Sequence, residues 1–151
     1  MKLKILKLDP WLKDFEGDLQ LRMDNYEKKR QQLLPDGQSL SEFANGASYF
    51  GIHKVRGGWY YREWAPAAEA VYLTGDFCGW ERKAYPLTKL ENGVWELFLK
   101  GAKALRHGQK IMTIVVHNGQ ELDRIPLYAN YVVQENKEWN AQIYAPKEPY
   151  V

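Results

Sequence analysis

The stretch Lys110-Ile-Met-Thr-Ile-Val-Val-His117-Asn118-Gly119-Gln120-Glu-Leu-Asp-Arg-Ile125 decides the fold. Two strand-forming runs flank Asn-Gly, whose residues accept the positive φ that a two-residue hairpin turn demands, so an antiparallel pair is predicted. The same pattern extends in both directions. Upstream, Ser48 to Lys54 and Trp59 to Trp64 flank Arg56-Gly-Gly58 and read as an aromatic-rich hairpin. Glu69 to Thr74 is a further strand closed by Gly75-Asp76, and Gly93 to Leu99 sets Trp95, Leu97 and Leu99 on one face. Downstream, Tyr128 to Val133 and Asn140 to Tyr144 complete about eight short strands with no helix between them. An all-β fold, an antiparallel sandwich, is the expected result.

Before this region the pattern changes to helical. Asp9 is placed to cap a helix with Pro10 at its first position, where a missing N–H costs nothing. Leu12, Phe15, Leu19, Met23, Tyr26 and Leu33 then form one apolar stripe, weakened or broken near Gly17 and ended by Pro35-Asp-Gly37. A short helical turn is expected from about Ser39 to Ala44, followed by Asn45-Gly46. Aromatic residues divide along the same line, three before residue 36 and eighteen after it.

Composition excludes several classes. The 151 residues carry 26% charged side chains, and no apolar run approaches the ~20 residues of a bilayer crossing. One cysteine cannot form an internal disulfide. Residues 1–35 hold eight Lys/Arg and six Asp/Glu, whereas residues 36–151 hold thirteen of each, so the neutral main body gives no electrostatic reason to expect a nucleic-acid or anionic-membrane partner. The apolar stretch in residues 1–8 is too short for a secretory signal, and a cytoplasmic protein is expected.

Catalytic chemistry does not assemble from this sequence. Cys78 has no histidine in an activating pattern, and His53, His107 and His117 lie on separate segments without metal-ligand spacing. No phosphate-binding loop or dinucleotide fingerprint occurs, so neither cofactor nor metal is expected. Glu63, Asp76, Glu81, Glu96, Glu121 and Asp123 are read mostly as solvated strand or turn residues, and no pair among them is selected for glycoside chemistry. No catalytic residue is assigned.

The aromatics carry the remaining signal: 14% of the chain, with six Trp and ten Tyr. Trp95 reads as core. Tyr60 and Trp64 alternate through Arg62, which gives one strand face an aromatic, charged, aromatic order. Trp80 lies between a turn-prone Gly75-Asp-Phe-Cys-Gly79 and the charged Glu81-Arg-Lys83. Two readings stand for it: a partly exposed indole that stacks on a sugar ring, or a loop side chain folded over the sandwich edge.

Several motifs resemble a known family in order and spacing. They are Ser48-Tyr-Phe-Gly-Ile-His53, Tyr61-Arg-Glu-Trp-Ala-Pro-Ala67, Val71-Tyr-Leu-Thr-Gly-Asp-Phe77 with Trp80, Val94-Trp-Glu-Leu97 and Asp123-Arg-Ile-Pro126. Together they resemble the N-terminal region of 1,4-α-glucan (glycogen or starch) branching enzymes. Asp9-Pro-Trp-Leu12 is similar to the leading helix of eukaryotic-type members. The resemblance implies an immunoglobulin-like antiparallel β-sandwich with a short N-terminal helical segment. Residues 1–46 would be the helical leader, 47–145 a module of carbohydrate-binding family 48, and 146–151 the start of a linker to a catalytic barrel. In such an enzyme an α-1,4 glucan chain is cut and transferred to a 6-hydroxyl, with the catalytic acids in the barrel.

The partners so implied are α-glucan (glycogen, starch or maltooligosaccharides) and the catalytic barrel of the same parent chain. Trp80 would stack on sugar, while Lys110 and Asn140 would hydrogen-bond hydroxyls; the alternatives are a solvated strand end for Lys110 and an edge residue for Asn140. Trp64 and Pro66 either face the barrel and guide glucan or pack together at a strand end. Two departures stand out. Glu121-Leu122 replaces a second stacking Trp after the hairpin, and Cys78 stands where Asn is usual. Alternatives are the glycogen-targeting domain of a debranching enzyme or kinase regulatory subunit, and an immunoglobulin-like protein-interaction domain that binds no sugar.

Overall fold

The structure, a computed structural model, describes residues 3–34 and 37–146, which form two compact units, Met1–Asn45 and Gly46–Val151. The expected helix stop at Pro35-Asp36 and most of the expected linker, from residue 147 onward, lie outside the described residues.

In the first unit, α1 (Ile5–Leu8) precedes a 3₁₀ turn, Pro10–Phe15, capped by Asp9, whose carboxylate accepts from Trp11 N at 3.1 Å. The chain passes into α2 (Glu16–Leu33) at Phe15, next to the weak point expected at Gly17. Helix α3 (Leu40–Phe43) starts with a capping box in which Ser39 and Glu42 satisfy each other's backbone N–H. No residue of α2 is buried, and Phe15, Tyr26 and Leu33 of the apolar stripe are exposed.

The second unit opens with a single turn, α4 (Gly46–Tyr49). Nine strands follow among the described residues: β1 (Gly51–Val55), β2 (Gly58–Trp64), β3 (Ala70–Gly75), β4 (Thr88–Lys89), β5 (Val94–Lys100), β6 (Lys110–His117), β7 (Gln120–Arg124), β8 (Val132–Glu135) and β9 (Glu138–Gln142). One sheet runs β1-β2-β5-β4, the other β3-β6-β9-β8 with β7 also on β6, and the strand pairs are antiparallel. Alternation sends Trp59, Tyr61, Trp95 and Leu99 from the first sheet against Val71, Leu73, Ile111, Val115 and Ala141 of the second. Each large side chain so buried contributes about 1.5–3 kcal/mol. The buried indoles keep hydrogen-bond partners: Trp59 Nε1 donates to Ala102 O at 3.2 Å and Trp95 Nε1 to Ala65 O at 2.9 Å.

Three strands differ from the sequence reading by two or more residues at a boundary. The first strand begins at Gly51 rather than Ser48, because Phe50 N closes a helical turn on Gly46 O (2.8 Å) and Gly51 then turns at φ +86°. Tyr128 adopts φ +53°, which breaks the strand expected there and delays β8 to Val132. Asn136 and Lys137 both take positive φ and form a two-residue turn, so β9 opens at Glu138, two residues before the expected start. The short β4 was not foreseen.

Glu63 corrects another expectation. Its side chain is fully buried: Oε2 accepts from Tyr61 Oη (2.7 Å) and Leu127 N (2.9 Å), and Oε1 from Trp64 N (3.3 Å) with Arg124 at 3.6 Å. Tyr61 also bonds Thr113, and burial, reinforced by the Glu63 charge, pushes its hydroxyl well above the usual tyrosine range, so it stays a donor. On the outer face of the first sheet, the Arg62 guanidinium lies over Tyr49 (4.5 Å) and Tyr60 (4.6 Å) and pairs with Glu96 at 2.6 Å, realising the aromatic and charged alternation.

Candidate functional site

The turn after β3 is built around one glycine and one carboxylate. A Cβ on Gly75 would sit 2.2 Å from Lys110 O on β6, so a side chain there is excluded. Asp76–Cys78 then form a 3₁₀ turn, and Gly79 and Trp80 both adopt left-handed backbone at φ +63°. For a residue other than glycine this conformation costs about 1–2 kcal/mol. Two bonds offset it: Trp80 N donates to Gly75 O (3.0 Å) and Trp80 Nε1 to Asp76 Oδ1 (2.9 Å). The other oxygen of Asp76 accepts from Lys110 N at 2.7 Å. One carboxylate therefore ties the indole to the start of β6. Cys78 is half-buried inside the turn, its thiol 3.4 Å from Gly75 O.

The strand pairing beside this turn leaves a notch. β6 pairs with β9 only through Lys110 and Ile111, and with β7 from Thr113 to His117. Met112 lies between the two pairings, where β7 and β9 diverge. The resulting groove, of about 570 Å³, is lined by Thr74, Trp80, Arg82, Met112, Asp123, Ile125, Glu138, Trp139 and Asn140. That volume lies within the range of small-molecule sites, about 300–1,000 Å³. A second, apolar slot among Ile52, Trp59, Leu127 and Ile143 has about 30 Å³, room for a water or two.

Ion pairs brace one side of the groove. Arg82 binds Asp123 (2.7 Å) and Glu121 (2.8 Å) on β7, and Lys83 binds Glu121 at 2.8 Å. These contacts raise the Arg82 and Lys83 pKa values and hold the Glu121 carboxyl below its ordinary range, with Lys83 the larger cause. The charges are thus paired, and the surface presents donors and acceptors.

Of the residues selected from sequence, Trp80 (40% exposed) and Asn140 (8% exposed) meet in this groove. Lys110 does not line it: its backbone supports Asp76 while its ammonium pairs with Glu135 on β8, which raises its pKa. Trp139, 54% exposed, lines the groove and was passed over because the strand was expected to begin one residue later. Trp64 is 51% exposed and its indole donates to Asn92 O at 3.0 Å, while exposed Pro66 lies against Gly93. Both belong to the end of β2 and lie outside the groove. The histidines bond backbone groups separately: His53 to Phe50 O, His117 to Ala67 O and His107 to Ala145 N. Among the described residues no helix is long and apolar enough to cross a membrane.

Residues 49–129 match the model of carbohydrate-binding module 48 (isoamylase N-terminal domain), and the chain belongs to that family. It is 35% identical to the 1,4-alpha-glucan-branching enzyme of Felis catus, over 97% of this chain and 22% of the relative. Against the enzyme of the same name from Yarrowia lipolytica it is 38% identical, over 89% of this chain and 20% of the relative. The chain therefore spans about a fifth of the length of these curated relatives. In fold it is similar to a pullulanase type I from Bacillus subtilis solved with maltose. That likeness has a TM-score of 0.53 at 21% identity, covering 67% of this chain and 14% of the pullulanase. The sandwich is accordingly the immunoglobulin-like type expected from sequence.

Proposed function

We propose that this chain is the noncatalytic glucan-binding and docking domain of a 1,4-α-glucan branching enzyme, which cuts α-1,4 chains and transfers them to 6-hydroxyls. The observation that carries this reading is the Trp80 indole, half exposed over a groove and fixed at its Nε1 by Asp76. A rigid, flat apolar surface suits the C–H face of a glucose ring, and its immobilisation before binding lowers the entropy lost on association. The Asn140 amide supplies a donor and an acceptor for hydroxyls beside it. Lys110 reaches a sugar only by leaving Glu135, so its contribution is secondary. Identity to branching enzymes over nearly the whole chain favours them over debranching enzymes or kinase regulatory subunits. Trp64 and Pro66, exposed at the end of β2, are assigned to the docking half of the role, against the catalytic barrel of a cytoplasmic enzyme.

Affinity electrophoresis of the 151-residue chain in gels containing glycogen tests the binding half. Trp80→Ala is expected to weaken retention about tenfold, equivalent to about 1.4 kcal/mol. Retention unchanged by that substitution refutes the stacking role, and no retention of the unsubstituted chain leaves docking alone.

A further inference from the structure

We infer that Trp139 is a second sugar-stacking residue and that the groove grips an oligosaccharide between two indoles rather than one ring on Trp80. The inference rests on the glucan-binding reading of the same groove. Its first support is the position of Trp139 in the sheet. By strand alternation Trp139 shares the side of Ala141, which is 1% exposed, yet Trp139 itself is 54% exposed. The cause is the fork. Beyond the Ile111–Ala141 pair, the place opposite Thr113 is taken by Arg124 of β7, so β9 runs on without a partner on its β6 side. The indole stands at the overhang instead of in the core.

The second support is the spacing of the elements that carry the two indoles. Gly75, Ile111 and Ala141 lie in one row across β3, β6 and β9. Trp80 follows the β3 end of that row and Trp139 precedes its β9 end, so the elements carrying them are two strand spacings apart, about 10 Å. That separation exceeds a single pyranose ring. A ligand that meets both indoles is therefore a chain of several sugars. The same groove is lined by apolar Met112 and Ile125 and hydrogen-bonding Arg82, Asp123, Glu138 and Asn140, which suits a molecule with apolar ring faces and a hydroxyl rim. Neither indole is paired with another aromatic ring among the described residues, and both side chains are exposed. Trp139 thus supplies from β9 the aromatic surface that Glu121-Leu122 on β7 does not.

Titration calorimetry of the 151-residue chain with maltose and maltoheptaose reads this directly. The unsubstituted chain is expected to bind maltoheptaose at least about tenfold tighter than maltose. Trp139→Ala is expected to reduce that ratio to about two while leaving maltose affinity within about twofold, and Trp139→Phe to keep most of the ratio. Trp80→Ala weakens both ligands. In the unsubstituted chain, NMR signals of both indole N–H groups should shift on adding maltoheptaose, which tests the inference without any variant. A ratio unchanged in Trp139→Ala, or a Trp139 signal that stays still while the Trp80 signal moves, overturns the inference and leaves the glucan reading intact. Absence of binding by the unsubstituted chain, or a silent Trp80→Ala, overturns both.

Discussion

Replacing Glu63 by glutamine isolates how much the sandwich depends on one buried carboxylate. The two oxygens of Glu63 receive three hydrogen bonds, from Tyr61 Oη, Leu127 N and Trp64 N, and Arg124 stands 3.6 Å away. Glutamine keeps one acceptor and turns the other into a donor. In one orientation the new NH₂ faces Leu127 N–H and Tyr61, and in the other it faces Trp64 N–H and Arg124. Either way a part-buried backbone N–H loses its acceptor, at about 1–3 kcal/mol, and the remaining bonds lose charge assistance worth about 1 kcal/mol. The expected total is about 2–4 kcal/mol, a large part of the roughly 5–15 kcal/mol that stabilises an ordinary domain. Urea unfolding followed by tryptophan fluorescence should show a lower midpoint at unchanged slope. Arg124→Gln is the control, because it leaves the three hydrogen bonds to Glu63 in place and removes only a partly exposed guanidinium at 3.6 Å, so it should cost less than Glu63→Gln. A Glu63→Gln loss below about 0.5 kcal/mol, or a larger loss in Arg124→Gln, refutes the reasoning that the hydrogen bonds hold this site.

Two further outcomes follow from the groove. Gly75→Ala forces a Cβ to within 2.2 Å of Lys110 O and 2.9 Å of Ile111 Cα, both backbone atoms of β6. It should destabilise by more than about 3 kcal/mol, beyond ordinary overpacking, and an unfolding free energy within about 1 kcal/mol of the parent refutes the fit. Glu121 should titrate below its ordinary 4.5 by carbon-detected NMR, and Lys83→Ala should move it back towards that value. Because its pKa is lowered in the folded state, its stabilising contribution is present above 4.5 and lost as pH falls through the folded value. A Glu121 midpoint at or above 4.5 contradicts the brace.

The hairpin around Asn118-Gly119 was legible because glycine and asparagine announce positive φ, and it appears as read, with φ +50° and +70°. The turn at Asn136-Lys137 has the same geometry without glycine, so β9 was read two residues late. That shift left Trp139 one residue outside the expected strand. Glu63 was hidden for another reason: in Arg62-Glu63-Trp64 strand alternation sends the acid inward, yet nothing local shows that Tyr61 Oη and the distant Leu127 N–H await it. Trp80 was legible from the glycines around it. Its anchoring required two residues far apart in sequence, Asp76 and Lys110, to meet.

That meeting also constrains how such a surface can diverge. Asp76 fixes the pose of the indole with one oxygen and the entry of β6 with the other. A lineage that alters this turn by changing Asp76 therefore disturbs sheet pairing at the same stroke, whereas exposed Trp139, on an overhanging strand, can be exchanged at little structural cost. Variation in what the groove accepts should accordingly accumulate on its β9 side, with the β3 side held nearly constant by folding itself.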